Sequence, residues 1–114
     1  MDYQGAQRRL IDAVKRNGIK YPLTRGGGVS NDNGVEVEVP EEKMDINGLV
    51  IAYKLSEIDG SVIQSGDIQL IATPEKEIRI GDHIEVDGIR YRVEEPNPIK
   101  PAAVLLAYKP QLRA

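Results

Sequence analysis

The spacing of apolar and polar residues changes period once along the chain. Between Tyr3 and Asn17, Tyr3, Ala6, Leu10, Ala13 and Val14 recur at intervals of three and four. Arg8, Arg9, Asp12, Lys15 and Arg16 fill much of the remainder. That spacing predicts an amphipathic helix over 3–17. Asp2 stands where an N-cap belongs, and Asn17-Gly18 supplies a stop signal with the glycine expected in the left-handed conformation. Lys15 and Arg16 suit the negative end of the helix dipole.

Beyond the helix the period shortens. Residues 18–34 hold Pro22, Gly26-Gly27-Gly28 and Ser30-Asn31-Asp32-Asn33-Gly34, and are expected to form a flexible loop. Val35-Glu36-Val37-Glu38-Val39 alternates strictly, as a half-buried strand would, and Pro40 ends it. Glu41 to Gly48 is a charged connection. Leu49 to Ile58 alternates again, Asp59-Gly60 predicts a two-residue hairpin turn, and Ser61 to Ser65 is the expected return strand. Ile68, Leu70 and Ala72 mark the next strand. Ile84 and Val86 lead through Asp87-Gly88 to Ile89, Tyr91 and Val93, a tight hairpin with one face inward. Pro96-Asn97-Pro98 breaks the pattern, Ala102 to Tyr108 is a last strand, and 109–114 is a C-terminal tail outside the core.

These elements predict a single domain over 1–114, mainly β. It is a small antiparallel β-barrel or sandwich of about six to seven strands (35–108) behind one N-terminal α-helix. The 114 residues include no Phe, Trp or Cys, so the core is built from aliphatic residues and Tyr, and disulfides and thiolate metal sites are excluded. No apolar run approaches the roughly 20 residues of a membrane span, and the first residues lack the pattern of a signal peptide, so no membrane partner is expected. The net charge of −3, with both signs mixed along the chain, gives no footprint for gripping a phosphate backbone.

No constellation in the sequence carries catalytic, cofactor-binding or metal-binding chemistry. His83 is the only histidine, and Asp82, His83 and Glu85 cannot converge on one ion from a single strand. His83 lies one residue off the inward positions and is expected to face solvent. Glu36 with Glu38, and Glu94 with Glu95, read as solvated carboxylates with no sign of a pocket to perturb them. Gly26-Gly27-Gly28 lacks the Gly-Lys-Ser/Thr ending of a phosphate loop. Arg90 and Arg92 flank an inward Tyr91 without an outward aromatic platform, so cross-strand ion pairing is their expected use.

The run Ile80-Gly81-Asp82-His83-Ile84-Glu85-Val86-Asp87-Gly88-Ile89-Arg90-Tyr91-Arg92-Val93-Glu94 is followed by Pro98-Ile99-Lys100-Pro101-Ala102 and an ending Ala107-Tyr108-Lys109-Pro110-Gln111-Leu112-Arg113. Together with Asp59 to Asp67, it resembles the head-tail joining (head-closure, stopper or neck) proteins of tailed bacteriophages, over roughly residues 48–113. The resemblance implies a structural virion protein without enzymatic activity, located in the virion neck and, before assembly, in the host cytoplasm. It further implies a homo-oligomeric ring, formed from a chain that is monomeric or oligomeric when free. Portal or adaptor proteins would lie on one side and tail proteins on the other, with genomic DNA passing through without sequence-specific binding. Loops and the terminal tail would order on assembly. Two alternatives stand beside it: a tail terminator or tail completion protein, and a small β-barrel that binds nucleic acid. A small enzyme is a distant third.

Overall fold

The computed structural model describes residues 2–114. Helix α1 (Tyr3–Asn17) starts where the sequence predicts, with the Asp2 carboxylate accepting a hydrogen bond from the Gly5 amide at 2.8 Å. It ends differently. Gly18 is extended, not left-handed, and its amide donates to the Val14 carbonyl at 2.7 Å. Glycine is needed there for proximity: a Cβ on Gly18 would lie 2.2 Å from the carbonyl oxygen of Gly48. The helix therefore crosses directly onto the next sheet, with Val14 buried at the contact.

The sheet is a closed six-strand antiparallel barrel with extra strands. Strand β1 (Ile19–Gly26) is followed by β2 (Val29–Asp32) and β3 (Val35–Glu38), which pair only with each other. Strand β4 (Glu41–Ala52) is the longest, and β5 (Ile68–Ala72), β6 (His83–Val86) and β7 (Ile89–Glu95) follow. Two-residue strands β8 (Pro98–Ile99) and β9 (Ala107–Tyr108) extend the sheet beside β5, and β10 (Gln111–Arg113) ends the chain. Round the barrel the order is β10-β7-β6-β1-β4-β5, and β10 also pairs with β5 to close it. Leu23, Ile46, Leu70, Ile84, Val93 and Leu112 fill the interior, with Tyr21, Val86 and Tyr108 around them.

Several expectations are corrected here. Residues 18–34 are not a flexible loop, because β1 is a central barrel strand with Tyr21 and Leu23 inward. Pro22 is tolerated because it faces outward and β1 pairs with β6 only at Leu23 and Thr24. The charged stretch from Glu41 to Gly48 is the first two thirds of β4, paired residue by residue with β1. Val35 to Glu38 is a strand but not half-buried, since all four residues are exposed. Ser61 to Ser65 forms no return strand. Instead the Asp59 carboxylate accepts from the amides of Ser61 and Ile63 and folds the segment into a loop. The expected strand from Ala102 to Tyr108 shrinks to Ala107 and Tyr108, after a turn in which Ala102 and Ala103 take positive φ of 46° and 65°. The Asp87-Gly88 hairpin forms as predicted, with positive φ at both residues.

The C-terminal correction has the largest consequence. Residues 109–114 are no tail outside the core: Pro110, Gln111 and Leu112 are buried, and β10 is the strand that completes the barrel. Closure removes the free edges that short strands otherwise present.

Candidate functional site

Two features stand out from the barrel: an arm that leaves it, and a pair of arginine clamps that hold its ends. The arm is the β2–β3 ribbon. Its tip, Asn33-Gly34, has φ of 51° and 80°, the combination a two-residue hairpin turn requires. At its root Gly26, Gly27 and Gly28 all have positive φ, and a Cβ on Gly26 would meet the Pro40 carbonyl oxygen at 2.8 Å. The ribbon thus bends away from β1 and β4 at a place only glycine can occupy without strain. The molecule measures 53 × 32 × 28 Å.

Every residue of β2 and β3 is exposed. Register assigns the two faces. Val29 lies opposite Glu38 and Asn31 opposite Glu36, while Ser30 lies opposite Val37 and Asp32 opposite Val35. Glu36 and Glu38 therefore share one face with Val29, and Val35 and Val37 share the other with Asp32. Val29 and Val35 are 66% and 62% exposed. The ion pairs among the described residues leave Asp32, Glu36 and Glu38 without a cation.

A second apolar projection lies at the other end of β4. The loop after Ala52 contains the 3-10 turn Leu55–Glu57, and exposes Leu55 and Val62. The two projections are separated by the length of β4, roughly 36 Å for twelve residues.

The clamps repeat one arrangement. Gly66-Asp67 precedes β5 and Gly81-Asp82 precedes β6, and in each case the aspartate is buried and gripped by an arginine distant in sequence. Asp82 receives Nε and Nη2 of Arg25 at 2.9 and 2.8 Å and the Arg79 amide at 2.8 Å. Asp67 receives Nε and Nη2 of Arg113 at 3.0 and 2.9 Å, the Gln64 amide at 2.9 Å and Nε2 of Gln111 at 2.9 Å. Burial pushes the Asp67 carboxyl up, but these donors outweigh it and hold the group below the ordinary carboxylate range. Arg113 also donates to the Val62 carbonyl, so one side chain ties the last strand, the start of β5 and the projecting loop together. Sequence reasoning missed both clamps. The repeated Gly-Asp before an alternating run was the available signal, but the arginine partners lie 57 and 46 residues away.

His83 is partly buried on the outer face of the barrel, opposite Thr24 on β1 and Arg92 on β7. Burial lowers its pKa, with Arg90 and Arg92 adding to the effect and Asp82 opposing it. Arg92 pairs with Glu94 at 3.1 Å within its own strand, and not across strands as expected. Glu94 also lies 4.0 Å from Arg113. Among the described residues no three His, Asp or Glu side chains converge as a metal-holding group, and no helix is long and apolar enough to cross a membrane. No protein-family model matches the chain, and no curated protein matches it either.

Proposed function

We propose that this chain is a structural subunit of a tailed-phage neck, joining the DNA-filled head to the tail as part of a ring around the DNA channel. The observation that carries the reading is the exposed β2–β3 arm standing off a barrel that has used its own last strand to close itself. Such a barrel has no central sheet edge left for a partner, so association falls to what projects from it. Projections at both ends of β4 suit a part that must touch neighbours on more than one side. The resemblance of residues 48–113 to head-closure proteins supports the same reading, and its central hairpin coincides with β6 and β7. A net charge of −3 per subunit suits a conduit through which a duplex slides without being gripped.

The test is deletion of the gene from the phage or prophage that carries it, with the lysate imaged by negative-stain electron microscopy. The expected result is complete tails lying apart from empty or leaking heads. Tails of uncontrolled length would replace this reading with that of a tail terminator. Normal infectious virions would refute a structural joint altogether.

A further inference from the structure

The charges of the chain are segregated in a way its net value conceals. Residues 27–42 carry five carboxylates (Asp32, Glu36, Glu38, Glu41 and Glu42) and no Lys or Arg. With −3 for the whole chain and −5 for this segment, the remainder is +2. Much of that excess lies on α1, where Arg8, Arg9 and Arg16 are exposed and, among the described residues, have no carboxylate partner. The molecule is an acidic arm on a basic body.

Among the described residues, no ion pair joins the arm to the helix of its own chain. Helix α1 is fixed against β4 at Gly48 and by the 3.0 Å pair between Lys15 and Glu75. The arm leaves β4 at Glu41, roughly 23 Å further along the strand. Complementary surfaces that do not pair within one molecule can meet between two.

We propose that the arm of one copy seats on the basic face of α1 of a second copy, Glu36 and Glu38 facing Arg8 and Arg9, with Val29, which shares their face of the ribbon, covered at the contact. The contact uses different patches on its two sides, so it is heterologous and propagates head to tail, as a ring requires. It deepens the neck reading by naming the subunit interface, and rests on that reading for closure into a ring.

A charge swap tests it. Glu36→Lys/Glu38→Lys and Arg8→Glu/Arg9→Glu are made in the full chain, with far-UV circular dichroism confirming that each folds; all four positions are exposed. Sedimentation velocity follows self-association of the parent at about 0.05 and 0.5 M salt, across which screening shortens the reach of a charge severalfold. The parent is expected to associate more weakly at high salt, and each variant alone to associate at least about tenfold more weakly than the parent. Mixing the two variants restores association, because each then meets an opposite charge. Variants that associate like the parent, or a mixture no better than its components, would overturn the proposal. So would a parent that stays monomeric up to about 1 mM, where even a contact of about 4 kcal/mol is half-formed. None of these results changes the appearance of the deletion lysate, so the interface and the neck reading fail separately.

Discussion

Replacing Arg113 by Ala should destabilise the barrel by about 2–3 kcal/mol, although the residue is the last but one in the chain. The Asp67 side chain is 1% exposed and accepts four hydrogen bonds, two of them from Arg113. Removing one partner of a buried ion pair leaves the other charge uncompensated, at a cost of about 3–5 kcal/mol. The lower figure applies because the Gln64 amide and Gln111 remain, and because Arg113 is itself 27% exposed, so water can enter its place. Urea unfolding followed by circular dichroism should show the midpoint falling by about 2 M, for an m-value of about 1–1.5 kcal/mol/M. The pH dependence separates this cause from lost packing. Because the folded carboxyl sits below its unfolded value of about 3.9, its contribution is present at neutral pH and lost as pH falls through the folded pKa. The gap between parent and variant should therefore be full at pH 7 and close as the pH drops below about 4. A loss under about 0.5 kcal/mol, the range of an ordinary surface substitution, would refute the reasoning, as would a gap that persists unchanged in acid.

Two further outcomes follow from local geometry. Ala102 and Ala103 are exposed, with positive φ, a conformation costing a non-glycine residue about 1–2 kcal/mol. Substituting either by Gly should raise stability by about 0.5–1 kcal/mol in the same urea assay, after the entropy glycine adds to the unfolded chain; a loss of stability would mean the turn is not left-handed. His83, its folded pKa lowered, resists protonation in the native state, so the unfolded state takes up the proton first as pH falls through about 6.5. Stability should decline slightly from pH 7 to 5, and His83→Gln should flatten that interval; an unchanged slope would assign the decline to other groups.

What the sequence determined unaided was whatever depends on neighbours a few residues apart. The helix follows from three- and four-residue spacing and an Asp2 cap, both local. The β6–β7 hairpin follows from strict alternation around Asp87-Gly88, where the turn residues set the register. A mainly β chain with an aliphatic core follows from composition. Tertiary structure decided wherever a segment's environment is supplied from far away. The polar ending Lys109 to Ala114 reads as solvent-exposed until Asp67 and β5 surround it, and Gln111 and Arg113 are then the residues that satisfy a buried carboxylate. Tyr21-Pro22-Leu23 reads as loop because a proline interrupts it, yet two inward side chains and a long partner strand override that preference. Val35-Glu36-Val37-Glu38 errs in the opposite direction. Its alternation shows that one face differs from the other, but not that anything covers the apolar one. Periodicity encodes which side chains share a face. Only the closed barrel decides which faces have a partner, because burial is a property of the whole surface and not of the strand.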